Sequence, residues 1–204
     1  MTRSPFAAVA ALALAGALAS PAAQASLVTL DPIDEQGSTL VAGDAISAMG
    51  FSFTQTNDSP ATLFAGDLVG AYASNGSNSL FAGNRAEIAL GRTSGGVFNL
   101  VSLALGGGNL GNRSSWAGML QLVGLTADNL TLVTNLLVDP MSTGLARVDL
   151  NWFNLTQVSF RSANGDYSLD DLQLQAVPEP ASLALVALGL AAMLAGSRRR
   201  VAAR

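Results

Sequence analysis

Leu155-Thr156-Gln157-Val158-Ser159-Phe160-Arg161, then Asn164-Gly165, then Tyr167-Ser168-Leu169-Asp170-Asp171-Leu172-Gln173-Leu174 form an alternating run, a tight-turn dipeptide and a second alternating run. A period of two sends successive side chains to opposite faces of a strand. Asn-Gly supplies the left-handed backbone of a two-residue hairpin turn. The stretch therefore predicts two strands joined as a hairpin. Adjacent in the second strand, Asp170 and Asp171 are expected on opposite faces.

The same rhythm extends upstream. Phe51-Ser52-Phe53-Thr54-Gln55 reads as a half-buried strand ending at Asn57-Asp58-Ser59-Pro60, and Asn75-Gly76-Ser77-Asn78 as a turn. Ala86 to Leu90 predicts a strand closed by Gly91. Val97 to Leu105 predicts another, ended by Gly106-Gly107-Gly108-Asn109, and Trp116 to Leu125 and Leu130 to Thr134 follow. Gly106 to Asn112 has neither a following helix signal nor a lysine, so it reads as a flexible loop rather than an anion nest. Ala61 to Ala73 fits a strand or a short helix. About eight short strands with no long amphipathic helix predict an all-β chain, an antiparallel β-sandwich or jelly roll.

The apolar excess lies at the two ends. Arg3 precedes the run Phe6 to Leu18, then Ser20-Pro21 and Ala23-Gln24-Ala25. Small residues at Ala23 and Ala25 suit signal peptidase, with cleavage before Ser26. At the other end Val177-Pro178-Glu179-Pro180 precedes the apolar run Ala181 to Gly196 and the cluster Arg198, Arg199 and Arg200. The prolines hold the motif extended. Sixteen helical residues span about 24 Å, a little short of a hydrocarbon core of about 30 Å. The arginines keep their end cytoplasmic, so the body lies outside. Residues 1–25 are thus expected to be a signal peptide, 26–176 a β-sandwich body and 177–204 a sorting segment with its transmembrane helix at 181–196.

Pro178, Glu179 and Pro180, the apolar helix and the arginine cluster, in this order, resemble the PEP-CTERM sorting signal of Gram-negative bacteria that make exopolysaccharide. The resemblance implies recognition by an exosortase, a transient inner-membrane anchor, removal of the tail, and a final place at the cell surface or outside the cell. It also implies association with exopolysaccharide in a biofilm, and glycosylation of the exported chain.

Composition narrows the chemistry of the body. The 204 residues include no Cys, no His and no Lys. Disulfides, thiolate or Ser-His-Asp catalysis, ordinary zinc sites, Schiff bases and P-loops are all excluded. From Ser26 to Val177 five arginines face thirteen acids, a formal charge of −8. Such a body has no basic face for nucleic acid. Its two glutamates, Glu35 and Glu87, leave a glycosidase pair to aspartates. The expectation is a non-enzymatic protein, with a carbohydrate-binding module and, behind it, a glycoside hydrolase as the alternatives.

Phe153-Asn154-Leu155, Val158-Ser159-Phe160 and Tyr167-Ser168-Leu169-Asp170-Asp171-Leu172 also resemble the last strands of jelly-roll, carbohydrate-binding-module-like domains. Some of those hold a structural calcium ion, which here implies oxygen ligands from Asp170, Asp171, Asp166 and Asp31. A buried aspartate satisfied by hydrogen bonds is the alternative, and no other cofactor is expected. Trp116, after the polar Asn112-Arg113-Ser114-Ser115, is the candidate platform for stacking a sugar ring, with core packing as its alternative.

Overall fold

The computed structural model describes residues 25–30, 38–59, 61–63, 73, 75–83, 85–107, 118–139, 142–162, 165–177 and 189. The chain divides between residues 23 and 24 and between 177 and 178, and Gln24–Val177 forms one compact unit. All the described strands belong to that unit.

It is an all-β, antiparallel sandwich. Its strands are β1 (Ala25–Val28), β2 (Ser38–Leu40), β3 (Ala45–Ala48), β4 (Phe51–Gln55), β5 (Ala61–Leu63) and β6 (Leu80–Ala82), followed by β7 (Glu87–Arg92), β8 (Phe98–Gly107), β9 (Met119–Thr126), β10 (Thr131–Leu137), β11 (Ala146–Ser162) and β12 (Tyr167–Ala176). The main sheet runs β1-β12-β8-β11-β7-β4-β3, with β6 on β12, β9 on β11 and β10 on β9, while β2 and β5 form a separate pair.

β11 joins the two halves. Its first part, Ala146 to Leu155, pairs with β8. Its second part lies between β9 and β7. Two register shifts against β8 separate these parts, between Asp149 and Trp152 and between Trp152 and Leu155. Each coincides with an asparagine in the left-handed region, Asn151 at φ 52° and Asn154 at φ 59°. Asparagine tolerates that region better than other residues with a Cβ, and the extra residue of a bulge bends the strand.

The core lies between the inward faces. Phe51 and Phe53 of β4, Ile88 and Leu90 of β7, Leu120 and Leu122 of β9, and Val158 and Phe160 of β11 meet Phe98, Leu100 and Leu103 of β8 and Leu169, Leu172 and Leu174 of β12. The rings of Phe51 and Phe98 touch edge to face, their centroids 5.6 Å apart. The run Phe51 to Gln55 alternates as expected, and its last inward residue, Gln55, is buried too. Its amide Nε2 donates to the carbonyls of Asn57 and Ser59, holding the turn after the strand.

Several expectations are corrected. Asn164-Gly165 does not make a hairpin, because β11 and β12 do not pair. β12 has β8 on one edge and β1 and β6 on the other, while the second half of β11, next to the turn, lies between β9 and β7, so the two runs flanking the turn have no edge left for each other. The two-residue hairpin sits instead at Met49-Gly50, where Ala48 pairs with Phe51 and both turn residues have positive φ, 49° and 84°. Gly106 is not in a flexible loop. It is a β8 residue, and a Cβ there would stand 2.6 Å from Leu145 Cδ2 and 2.8 Å from the Ala73 Cβ. Of Ala61 to Ala73, the first three residues are strand, and 64–72 lie outside the described residues.

Candidate functional site

The acidic pair sits at a bulge in β12. Asp170 pairs with Ala104 of β8 and Gln173 with Ser102, so β12 spends three steps where β8 spends two. The surplus is absorbed at Asp171, whose φ is +48°. The bulge breaks the alternation that sets neighbours on opposite faces. Both carboxylates therefore address one turn, contrary to the expectation from a regular strand. Asn75 Nδ2 donates to Asp171 Oδ2 at 2.8 Å, and Ser77 Oγ lies 2.8 Å from Asp170 Oδ2.

Asp170 is fully buried, and its Oδ1 has no partner among the described residues. Burial pushes its carboxyl above the usual aspartate range, outweighing the hydrogen bonds from the Asp171 backbone, Ser77 and Asn75 that pull the other way, while the neighbouring Asp171 charge adds to the rise. Ser77 Oγ also lies 2.6 Å from Asn75 Oδ1, so its one proton is shared between two acceptors.

Asp166 is elsewhere, at the head of β12, with its Oδ1 3.6 Å from the place a Cβ on Gly83 would take. Asp31 lies outside the described residues. Calcium draws six to eight oxygen ligands. Among the described residues no group of three or more acidic side chains is gathered that could hold a metal. The residues described at this bulge therefore do not by themselves make a calcium cage.

Of the aromatics, Trp116 is outside the described residues. Tyr167 is buried and shares its hydroxyl between the carbonyls of Ala86 and Phe160, each at 3.1 Å. Trp152 packs over Gly124, where a Cβ would meet its ring carbon Cε3 at 2.9 Å. Tyr167 therefore offers no stacking face, while Trp152 is half-buried against the core. Phe153, which sequence alternation alone did not single out, is 58% exposed.

A groove of about 540 Å³ runs along the outer face of β4, β7 and β11. Ser52, Thr54 and Thr56 form one wall, Thr156 and Gln157 the other, and Ala89 and Gly91 the floor, with Arg92 and Thr93 at one end. It exists because Ala89 and Gly91 of β7 leave room between the longer side chains of β4 and β11. No signal in the sequence marked it, since its walls lie about a hundred residues apart along the chain and meet only through the β4–β7 and β7–β11 ladders.

The body ends where the sorting segment begins. Ala25 pairs with Gln175, so entry to β1 and exit from β12 are neighbours in one ladder. Val177 makes the last backbone bond, its N–H donating to the Val97 carbonyl at 3.1 Å. Pro178 has no N–H to continue the ladder. Residues 176–200 match the family model of the PEP-CTERM protein-sorting motif. The chain carries a PEP-CTERM sorting signal. The PEP-CTERM motif marks an exported protein, sorted by an exosortase through a membrane-anchored C-terminal signal. Its residues 178–200, apart from Gly189, and the expected signal-peptide residue Ala23 lie outside the described residues; among the described residues no helix is long and apolar enough to cross a membrane.

A search of curated proteins finds no matching sequence. Among solved structures the body is similar to a variant of a family 29 carbohydrate-binding module complexed with mannohexaose, at 10% identity over 76% of this chain and 91% of that one, with a TM-score of 0.43. It is also similar to an F5/8 type C domain of a Bacteroides fragilis protein, at 10% identity over 65% and 95% of the two chains, with a TM-score of 0.41. A xylan-binding domain from Paenibacillus barcinonensis matches at 13% identity over 78% and 98%, with a TM-score of 0.25.

Proposed function

We propose that this is a non-enzymatic protein of the cell surface or extracellular matrix. It is cut before Ser26 by signal peptidase, held briefly in the inner membrane by residues 181–196, and released or attached outside after an exosortase acts at Pro178-Glu179-Pro180. There the body associates with exopolysaccharide. The single observation that carries this reading is the PEP-CTERM motif at residues 176–200, directly behind the last body strand. The arginines 198–200 hold the tail's end in the cytoplasm during sorting.

The fold is compatible with both cuts. Cleavage before Ser26 keeps the pairs Ser26 with Leu174, Leu27 with Gln173 and Val28 with Leu172. Removal of the tail beyond Val177 takes away none of the ladder of β12. A body without His, Cys or Lys has little with which to build a catalytic site, so its work outside the cell is binding or structure.

Intact-mass spectrometry of the protein recovered from outside the producing cell tests this. The expected chain begins at Ser26 and lacks the arginine-rich tail. Recovery of chains that still carry Arg198 to Arg200 from cells with an active exosortase overturns it.

A further inference from the structure

We propose that the groove on β4, β7 and β11 binds a carboxylated polysaccharide, one whose repeating unit carries a uronic acid. The inference rests on the reading that the body works among extracellular glycans, and it names the class of glycan and the residues that hold it.

The groove has the size of a small-ligand site, a class that spans roughly 300 to 1,000 Å³. Among the described residues no aromatic lines it, so recognition there is by polar contacts rather than ring stacking. The orientation of its hydroxyls is telling. Thr56 donates to the Glu87 carbonyl at 3.3 Å, Thr93 to the Gly50 carbonyl at 3.0 Å and Thr156 to the Leu125 carbonyl at 3.1 Å. Their protons are committed to the backbone, so what they turn to a ligand is lone pairs. A glycan, which is dense in hydroxyl donors, is the complement of such a surface.

The charge in the groove is the second observation. Among the described residues Arg92 is the only charged one lining it, in a body with thirteen acids against five arginines. Arg147 pairs with Asp149 and Arg161 with Glu87. Arg92 is half-buried, and its guanidinium makes no ion pair among the described residues. It lies over the turn after β7, where a Cβ on Gly96 would stand 3.1 Å from its Nη1. Glycine at 96 leaves the guanidinium this resting place. A planar fork of donors beside a row of acceptors suits a carboxylate on a hydroxylated ring. The acidic body repels a polyanion at long range, but at physiological salt that repulsion is screened beyond about 8 Å. The contact with Arg92 is at short range.

The test uses the full-length chain in detergent at physiological salt, with polygalacturonate as probe and the same polymer with its carboxyls reduced as control. Binding is expected to be about tenfold tighter to the carboxylated polymer, the size of one charge-assisted contact. Arg92→Gln should erase that preference while keeping the weaker binding to the reduced polymer. Gly91→Val, which fills the floor, should abolish binding to both polymers while thermal melting shows the fold intact. Equal binding of the two polymers by the native chain overturns the proposal, and so does an Arg92→Gln protein that keeps its preference, loss of binding on Trp116→Ala with Arg92→Gln unaffected, or no binding to either polymer. None of these bears on the processing sites, which intact mass reports separately.

Discussion

Ser77 Oγ lies 2.8 Å from Asp170 Oδ2, joining the Asn75–Ser77 turn to a strand 93 residues later in the chain. The contact exists because the bulge at Asp171 turns two consecutive carboxylates toward one turn. It leaves Asp170 Oδ1 buried with nothing among the described residues to donate to it. Burial therefore shifts the Asp170 carboxyl toward its neutral form, above the ordinary aspartate range.

The pH dependence comes from that preference. A carboxyl raised in the folded state stabilises the fold fully below its unfolded pKa, 3.8 for an ordinary aspartate, and this contribution is lost as pH rises through the raised folded value. Asp170→Asn mimics the neutral form. It should raise the melting midpoint at pH 7 by about 2 to 4 °C, corresponding to about 1 kcal/mol, and the gain should vanish near pH 3. Thermal melts across pH check this. A wild-type midpoint that rises with added calcium, and an Asp170→Asn midpoint that does not, would instead show a cation satisfying Oδ1.

Tyr167 anchors the head of the same strand. Its buried hydroxyl serves two carbonyls, and burial, with the Glu87 charge, pushes its pKa far up. Tyr167→Phe should cost about 1 to 3 kcal/mol, because it leaves the Ala86 and Phe160 carbonyls dry. A urea titration measures this. The contribution of Tyr167 is present below the ordinary tyrosine pKa and is lost as pH rises beyond it, so its phenolate absorbance should develop only with alkaline unfolding.

Two glycines give opposite expectations for the same substitution. At Gly106 a Cβ would meet Leu145 and Ala73 below 3.0 Å, and Gly106→Ala should destabilise by about 1 to 3 kcal/mol. At Gly91 the nearest atom, the Thr156 carbonyl oxygen, would be 3.7 Å away. Gly91→Ala should melt within about 2 °C of the native chain or slightly above it, since alanine costs less chain entropy on folding. Parallel calorimetric scans distinguish the two.

The bend in β11 rests on Asn151 and Asn154. Replacing Asn151 with a β-branched residue forces a side chain with a Cβ into the left-handed region it resists. Asn151→Val should cost about 1 kcal/mol or more, and Asn151→Gly should restore most of that loss. Equal midpoints for the two variants would contradict a left-handed residue at 151.

Much of the sheet was legible because strands β4, β7, β8, β9 and β12 carry apolar residues largely at period two, and burial of one face imposes that spacing on any sequence. The first half of β11 alternates too, with Val148, Leu150 and Trp152 half-buried against the core between the exposed Arg147, Asp149 and Asn151; what needed the structure was that it is continuous with the second half through the bulges at Asn151 and Asn154. The false hairpin at Asn164-Gly165 has a different cause. A turn dipeptide reports the local backbone, while strand partnership depends on which edges remain open, and that is a property of the whole sheet.

The candidate sites divide in the same way. The sorting signal was readable because an address is recognised as a linear segment: prolines, an apolar helix and basic residues in order. The groove and the acid turn were not. Ser52, Gly91 and Gln157 come together only by strand pairing, and Asp170 shares a turn with Asp171 only because of a bulge.

The sequence by itself determined that the chain is addressed for export, that its body is β, acidic and without the usual nucleophiles, and roughly where most strands lie. These properties follow from composition and local period. The tertiary structure alone decided that β8 stands between β11 and β12, that Asp170 is buried with one oxygen unpaired, and that Arg92 heads a hydroxyl-lined groove. Each of these depends on contacts between residues far apart in the chain, and such contacts are selected by the competition of all strands for edges and of all apolar faces for one core.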